Sequence, residues 1–507
     1  MLPRRSLTAT ASALAVVAAL GVGLLPTGAT AAPESAPEAT FAPTLAYVAC
    51  PAGEDLPART RCATLRVPLD WQTPNDGRTV LIAMRVTTPR RDAGKLGLTW
   101  NPGGPGGEAI NAHGGIYSLL PASVRTRFDF VSFDPRGVGL SGPKLAGCEP
   151  DGVVPPATGP VDWDAYWEDV AATAGAARAA CFAANPNAAP YLGTWQVVRD
   201  MEAMRVALGY DRWNFWGMSY GTRVGNTYAR TFPHRLRALI EDASLMANET
   251  LARFGSTTPA GNFASVQVYA SVAGKRQAFK IRAIFDYLDD TTLEVGQELP
   301  LTRWSFSTSI NTALREGKYA DLRVAVNALY DAITSSSSDE RRRAARAAAR
   351  GLQVRNGDEP IVDPVSDSFA ISFVTCADLP DRPTPAQLAQ MSRVVEQDYG
   401  TASGVDVGRA SLCLGLPSGF SPPTSNGDST MTLRPPPLFL LATGDAATPW
   451  IWGRSLANTF AGSRTITYNG TDHGLIVVAS PCIETWIEKY LVKLQLPRRD
   501  LFCPSVA

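Results

Sequence analysis

The sequence predicts an α/β fold in which a mostly parallel central sheet is interrupted by a largely helical insertion. Short apolar stretches that indicate strands alternate with helix-compatible stretches, a pattern typical of parallel sheets. The alternation breaks at about residue 247, continues as helix-forming sequence to about 369, and strands then resume. With 507 residues, 45% of them hydrophobic, the chain is ample for a large buried core.

Turn residues and apolar runs place the individual strands. The predicted core strands are 67–69, 79–86, 96–100, 128–133, 213–216, 237–241, 437–442 and 464–468. The first two are joined through a turn at Asn75-Asp76-Gly77. The helical insertion therefore falls between core strands six and seven, where it is expected to form a cap over the site.

The N-terminus predicts export. Arg4 and Arg5 precede the short apolar run 11–25, and Ala29-Thr30-Ala31 fits the small-residue cleavage rule. We interpret residues 1–31 as a signal peptide, because the apolar run is short for a membrane anchor. Residues 32–44 are expected to be a flexible leader. The mature chain then divides into core 45–246, cap 247–369 and core 370–507, with no predicted membrane span.

Cysteine content and charge narrow the class of protein further. Eight cysteines in an exported chain suggest disulfides, although eight cysteines allow 105 pairings. Their clustering along the chain suggests that neighbours pair: Cys50 with Cys62, Cys148 with Cys181, Cys376 with Cys413, and Cys482 with Cys503. A formal net charge of zero gives no electrostatic argument for a nucleic-acid partner. The scattered histidines give no metal site, and no cofactor is expected.

One pentapeptide carries most of the chemistry. Gly217-Met218-Ser219-Tyr220-Gly221 follows the apolar run 213–216 and precedes the helix-compatible run 222–231. A strand, a G-x-S-x-G turn and a helix in that order are typical of a nucleophile elbow. The sequence therefore predicts that Ser219 is a nucleophile, the alternative being an ordinary glycine-rich turn.

A serine nucleophile needs a base, and this chain offers three histidines. His234 follows a proline at a predicted helix end and is interpreted as a surface residue. His113 lies just beyond a glycine-rich loop, where it could touch a substrate, but it precedes the serine. His473 lies in the loop after the last predicted strand, which fits the chain order Ser, Asp, His. We predict His473 as the base, the alternative being a loop histidine.

The acid that orients the base is expected after the penultimate strand. Asp445 stands at the carboxyl end of strand 437–442, where its carboxylate would accept the imidazole N–H and stabilise the imidazolium. Asp472 is the rival. It ranks lower because adjacent residues in a chain rarely orient each other's side chains well.

The loop 101–107, Asn-Pro-Gly-Gly-Pro-Gly-Gly, is predicted to help form an oxyanion hole. One donor is expected to be the backbone N–H of Tyr220, after the nucleophile, and the other that of Gly104 in this loop. Glu108 follows the loop directly. An aminopeptidase must hold the substrate α-ammonium, and Glu108 is a candidate partner for it. The alternative is a solvated loop glutamate.

Together these motifs resemble the exported tripeptidyl-aminopeptidase-like branch of the proline iminopeptidase family of α/β-hydrolases. The matching motifs are Val67-Pro68-Leu69-Asp70, 101–107, Phe133-Asp134-Pro135-Arg136-Gly137, 217–221, Cys376-Ala377-Asp378, Asp445 with Thr448-Pro449, and His473-Gly474. The resemblance implies an α/β-hydrolase fold and, at Cys482 and Cys503, the family's closing cysteine pair. Where family members carry serine and glycine after the loop, this chain has Glu108 and Ala109.

The resemblance implies a secreted or cell-envelope serine hydrolase acting through an acyl-enzyme. An exopeptidase that releases short peptides or residues from free N-termini is the leading hypothesis. The second is an esterase, amidase or tailoring hydrolase that acts on a small metabolite. A third, a binding protein without activity on a hydrolase scaffold, is disfavoured by the complete set of Ser219, Asp445 and His473.

Overall fold

The computed structural model describes residues 41–506 apart from 52–54, 90–95, 150–152, 295–299, 353–367, 425–426 and 428. The predicted signal peptide 1–31, and all but residues 41–44 of the predicted leader, lie outside the described residues. The described residues belong to one unit, Phe41–Ala507. None of their helices combines the length and apolar character needed to cross a bilayer.

In the described part of the chain, ten strands form a single sheet with the order β1-β2-β3-β5-β4-β6-β7-β8-β9-β10. The strands are β1 Thr44–Val48, β2 Thr60–Pro68, β3 Thr79–Thr87, β4 Gly97–Asn101, β5 Asp129–Phe133, β6 Trp213–Met218, β7 Leu236–Asp242, β8 Leu438–Ala442, β9 Arg464–Tyr468 and β10 Leu501–Cys503. The pairs β1–β2, β2–β3 and β3–β5 are antiparallel, and the remaining pairs are parallel. The predicted mostly parallel sheet is confirmed.

The parallel strands are buried because helices cover both faces of the sheet. All five residues of β4 and of β8 are buried, and the sequence of β8, Leu-Phe-Leu-Leu-Ala, is accordingly continuously apolar. The helices are α1 His113–Leu119, α2 Ala122–Arg125, α3 Trp163–Val170, α4 Ala176–Ala184, α5 Thr194–Leu208, α6 Gly221–Thr231, α7 Leu251–Ala273, α8 Arg276–Asp290, α9 Arg303–Arg315, α10 Tyr319–Thr334, α11 Ser338–Leu352, α12 Ser368–Asp378, α13 Pro385–Tyr399, α14 Trp450–Ala457 and α15 Pro481–Lys493.

Helices α7 to α13 separate β7 from β8, and α7 to α11 fall in the segment 247–369 that the sequence predicts to be a cap. The prediction placed this segment between core strands six and seven. It follows the seventh strand of the observed sheet because the predicted strands do not include β1, a mostly exposed edge strand. The short β10, of three residues, was missed as well.

All four predicted cysteine pairs are disulfides in the structure: Cys50–Cys62, Cys148–Cys181, Cys376–Cys413 and Cys482–Cys503. The last pair joins the first turn of α15 to β10 at the edge of the sheet. Four disulfides suggest an oxidising, extracytoplasmic environment.

The parallel strands all point their carboxyl ends to one edge of the sheet, and that edge collects the predicted site. Gly104 follows β4, Ser219 follows β6, Asp445 follows β8 and His473 follows β9. Binding and reaction sites of open α/β sheets lie at this edge.

Candidate active site

Ser219 occupies a strained turn between β6 and α6. Its φ angle is +57°, in the left-handed region that residues with a side chain seldom adopt. The two neighbouring glycines are needed because any side chain would clash there. A Cβ at Gly217 would lie 2.3 Å from the Gly221 carbonyl oxygen, and a Cβ at Gly221 would lie 2.4 Å from the Asn101 carbonyl oxygen. The turn therefore has the geometry of a nucleophile elbow, with Ser219 at its tip.

Asp445 and His473 form the hydrogen-bonded pair that the sequence predicts. His473 Nδ1 lies 2.9 Å and 3.1 Å from the two Asp445 carboxylate oxygens. The same carboxylate accepts the backbone N–H groups of Ala447 and Thr448, at 2.8 Å and 3.0 Å, and the Thr448 hydroxyl at 2.8 Å. These donors fix the carboxylate, and the carboxylate fixes the ring of the histidine.

The electrostatics of the pair suit a base and its orienting acid. Burial alone would raise the pKa of Asp445, but the charge of His473 and hydrogen bonds from His473 and Thr448 hold that pKa below its usual value. The Asp445 side chain is 1% exposed, whereas the His473 side chain is 18% exposed. The carboxylate thus stays ionised in the interior while the imidazole reaches the surface of the site.

The other two histidines lie elsewhere. His113 is fully buried, and its ring nitrogens lie 2.7 Å from Thr87 Oγ1 and 2.8 Å from Ser132 Oγ. Burial, with a smaller contribution from the charge of Arg85, lowers the pKa of His113 to about 3, so the ring is neutral. A role in touching substrate, one possibility left open by the sequence, does not fit this core position. His234 is exposed in a 3-10 helix, as predicted.

The loop that carries His473 packs against the elbow. A Cβ at Gly474 would lie 2.3 Å from Met218 Sδ, so the residue after the histidine touches the residue before the serine. Asp472, the alternative acid, lies against the turn between α9 and α10: a Cβ at Gly317 would lie 2.5 Å from its Oδ1. Within the described residues, no hydrogen bond joins Ser219 Oγ to His473. Such bonds are often formed only when substrate is bound.

The glycine-rich loop after β4 also contacts the elbow. Gly103 and Gly104 have φ angles of +95° and +102°, which glycine adopts without strain. A Cβ at Gly103 would lie 2.7 Å from Ser219 Cβ and 2.9 Å from the Tyr220 nitrogen. The Gly103 N–H is taken by Asn101 Oδ1, at 2.9 Å, whereas Gly104 is exposed. Gly104 and Tyr220 therefore lie on adjoining backbone segments beside Ser219.

The Tyr220 side chain is anchored in a buried polar network. Its hydroxyl is hydrogen-bonded to Thr194 Oγ1, which also donates to Asp378 at 2.7 Å. Asp378 pairs with Arg223 at 3.0 Å, and Arg223 in turn binds Glu249. Buried charges of this kind need such partners. Asp378 belongs to the Cys376-Ala377-Asp378 motif, so the motif supports the residue that follows the nucleophile.

Glu108 is half-buried and lies against the turn that follows β5. Its carboxylate accepts a hydrogen bond from Asn111 Nδ2, and its Cγ would lie 3.1 Å from a Cβ at Gly139. Burial raises the pKa of nearby Asp134, and the charge of Glu108 adds to that rise. Glu108 therefore has one protein partner already and shares its surroundings with a second carboxyl group.

The helical segment touches the base loop directly. The His473 N–H donates to the Arg315 carbonyl oxygen at the end of α9, at 3.1 Å. At the start of α10, Tyr319 Oη accepts the Thr471 N–H at 2.8 Å, and Thr471 Oγ1 donates to the Leu314 carbonyl at 2.6 Å. The turn between α9 and α10 thus positions the loop that presents the imidazole.

Sequence reasoning missed two groups of residues at the site. The first is the α9–α10 turn with Arg315 and Tyr319, which shows no motif. The second is Asp242, at the end of β7, which accepts the Ser219 N–H through its carbonyl oxygen, at 3.0 Å. Asp242 could have been found from the sequence, because it is an acidic residue at the end of an apolar strand. A carboxylate buried there needs hydrogen-bond partners.

Comparison with known proteins matches two parts of the chain to family descriptions. Residues 101–286 match the α/β hydrolase fold, and residues 402–503 match the TAP-like protein family. The first match spans the glycine-rich loop and the elbow, and the second spans Asp445 and His473.

Three curated relatives are similar over most of the chain. Serine protease Hip1 of Mycobacterium tuberculosis is 27% identical, covering 88% of this chain and 88% of the relative. Tripeptidyl aminopeptidase of Streptomyces lividans is 25% identical, covering 90% and 85%. Carboxylesterase B of Mycobacterium tuberculosis is 27% identical, covering 87% and 86%. The fold and both matches agree: the chain has the α/β-hydrolase fold, and its C-terminal part is similar to the TAP-like protein family.

Proposed function

We propose that the protein is a serine hydrolase that works through an acyl-enzyme, with Ser219 as nucleophile, His473 as base and Asp445 as orienting acid. The observation that carries the proposal is the Asp445–His473 hydrogen bond, at 2.9 Å, in the loops next to the strained Ser219 turn. A nucleophile, an acid and a base in this chain order and at these strand ends support this reaction class.

Each group has a defined task in that reaction. Ser219 Oγ attacks the substrate carbonyl carbon, and His473 Nε2 takes the hydroxyl proton. Asp445 holds Nδ1–H and stabilises the imidazolium. The backbone N–H groups of Gly104 and Tyr220 donate to the oxyanion of the tetrahedral intermediate. His473 then gives its proton to the leaving group, and a water molecule activated by the same base hydrolyses the acyl-enzyme.

An exopeptidase acting on free N-termini is the activity we favour. Two relatives are named a serine protease and a tripeptidyl aminopeptidase, which supports cleavage of peptides. Such an enzyme must hold the substrate α-ammonium, and Glu108, at the end of the oxyanion loop, is our candidate partner. Its half-buried carboxylate carries one hydrogen bond from Asn111, so it retains acceptor capacity.

An esterase or amidase that acts on a small molecule is the second candidate. A relative of equal identity is named carboxylesterase B, and the same three residues would perform that reaction. The two activities differ in the acyl group that the pocket accepts and, for an esterase, also in the leaving group, which is an alcohol instead of an amine. We propose that segment 247–369 acts as the cap that shapes this pocket, which its contacts from Arg315 and Tyr319 to the base loop support.

We also propose that the protein is exported, with residues 1–31 as its signal peptide. The four disulfides support an oxidising location. The proposed substrates are therefore peptides, or small esters or amides, that are present outside the cytoplasm.

Substrate profiling of the purified protein tests the activity. The panel contains aminoacyl and tripeptidyl chromogenic amides with a free amine, the same compounds N-acetylated, and simple chromogenic esters, with Ser219→Ala as the blank. An exopeptidase cleaves the free-amine peptides best and the acetylated ones poorly. Equal cleavage of blocked amides or simple esters would replace it with the esterase or amidase.

A further inference from the structure

Asp242 binds the nucleophile loop and the base loop at the same time. Its carbonyl oxygen accepts the Ser219 N–H at 3.0 Å. Its carboxylate accepts the Leu475 N–H at 2.7 Å through Oδ1 and the Ile476 N–H at 3.0 Å through Oδ2. The Trp216 indole N–H adds a contact to Oδ2 at 3.2 Å. Asp242 is fully buried, so these groups are its partners in place of water.

These contacts matter because the nucleophile and the base come from distant parts of the chain. Ser219 follows β6 and His473 follows β9, so β7 and β8 lie between them in the sheet. Proton transfer requires the serine oxygen and the imidazole nitrogen within hydrogen-bond reach. A displacement of about 1 Å can cost roughly 10²-fold in rate. A group bound to both loops controls that separation.

We propose that Asp242 is a positioning residue that sets the separation and orientation of Ser219 and His473 by binding both of their loops. This inference rests on the proposed function, since it assigns Asp242 a task only if those two residues react. Asp445 orients the imidazole ring through Nδ1. Asp242 orients the backbone that carries the ring, two and three residues further along the loop.

The charge of the Asp242 carboxylate has a second effect. Burial raises the pKa of Asp242 to about 6, against hydrogen bonds from Leu475, Trp216 and Ile476 and the charge of His473. The hydrogen-bonding partners of Asp242, which are Trp216, Leu475 and Ile476, donate neutral N–H groups. His473 is the charged group that acts on Asp242 from the base loop. By the same interaction, ionised Asp242 stabilises the imidazolium that forms on His473 during the reaction.

Glu241 provides a matched control on the same strand. It is fully buried like Asp242, but both of its carboxyl oxygens lack a hydrogen-bond partner within the described residues. Glu241→Gln changes a buried carboxyl group next to Asp242 without touching either loop. A change that merely perturbs this strand would affect both variants.

The test compares Asp242→Asn, Glu241→Gln and Ser219→Ala on the best substrate of the panel, each shown to be folded by thermal unfolding. We expect Asp242→Asn to lower kcat by roughly 10²-fold with KM little changed, because the base loop loses a carboxylate contact and shifts, whereas the Ser219 N–H keeps the main-chain carbonyl. In a plot of kcat/KM against pH, the acid limb of the variant should move to lower pH, because the imidazolium loses a neighbouring negative charge. Glu241→Gln should keep the parent kcat and profile.

If Asp242→Asn does not fold, Asp242→Glu takes its place. It keeps the charge but lengthens the side chain, so kcat should fall while the acid limb stays near that of the parent. An Asp242 variant with the parent kcat and acid limb, beside an inactive Ser219→Ala, would overturn this inference and leave the proposed function standing. An active Ser219→Ala would overturn both.

Discussion

Tyr319 in the α9–α10 segment accepts the backbone N–H of Thr471 at 2.8 Å, two residues before the imidazole of His473. Thr471 Oγ1 lies 2.8 Å from the same phenolic oxygen. A helix that the chain inserts between two core strands is thereby bonded to the loop that presents the base. The helical segment 247–369 therefore contacts the loop that carries His473 through both the backbone and the side chain of Thr471.

Tyr319→Phe should reduce kcat about tenfold, since it leaves the Thr471 N–H without its buried acceptor, at a cost of about 1–3 kcal/mol. Steady-state kinetics measures the effect. Tyr330→Phe, on the same helix, is the control: its ring lies beside Phe279 and Lys280, away from the base loop. If the two variants had the same kcat, the bond from Tyr319 to the base loop would have no role in the reaction.

Asp445→Asn should lower kcat by about 10⁴, because an amide at this position favours the wrong imidazole tautomer. Asp472→Asn is the matched control. It removes the carboxylate next to His473 in the chain, which lies against Gly317, and should leave kcat little changed. If Asp472→Asn were the more damaging change, the assignment of the orienting acid would be reversed.

The placement of Ser219, Asp445 and His473 after the ends of β6, β8 and β9 could be predicted because each of these strands shows a strand pattern in the sequence. The four disulfides could be predicted because each joins two cysteines that follow one another in the order of cysteines along the chain. Asp242 could not be assigned a role, because two partners of its carboxylate are backbone N–H groups more than 200 residues away, which no local pattern encodes. The edge strand β1 was missed since most of its residues are exposed and carry no burial pattern.

The helical segment was the least predictable region for a related reason. Its helices could be recognised from composition, but the contacts of Arg315 and Tyr319 depend on how the segment folds back over the sheet. Glu108 shows the same limit. The sequence places it beside the oxyanion loop, whereas its bond from Asn111 and its proximity to Asp134 follow from the three-dimensional turn.

Glu108→Gln should impair turnover of free-amine peptides by about tenfold or more, because a hydrogen bond to a charged group is worth roughly 1.5–3 kcal/mol. The loss should appear in kcat/KM. N-acetylated substrates, which lack the ammonium group, should be poor for the parent and unaffected by the change. If kcat/KM fell equally for free-amine and N-acetylated substrates, Glu108 would stabilise its turn and would not bind the amine.

Glu241→Gln should stabilise the protein increasingly as pH rises. Burial without a partner raises the pKa of Glu241 well above its usual 4.5, so the folded state retains a proton that the unfolded state releases. The parent therefore loses stability from about pH 4.5 upward until the folded-state pKa is passed. Thermal unfolding at pH 4 and pH 8 should show similar Tm values at the lower pH and a higher Tm for the variant at the upper. A gap of the same size at both pH values would contradict the buried neutral carboxyl.

The central claim is that Ser219 is the nucleophile of a serine hydrolase, and covalent labelling tests it most directly. The purified protein is treated with a fluorophosphonate, digested and mapped by mass spectrometry, alongside Ser219→Ala and His473→Ala. We predict one modified serine, Ser219, with no labelling of Ser219→Ala and greatly slowed labelling of His473→Ala, and with activity lost in proportion to labelling. Modification of another serine with loss of activity, or full activity in a protein labelled at Ser219, would contradict the account.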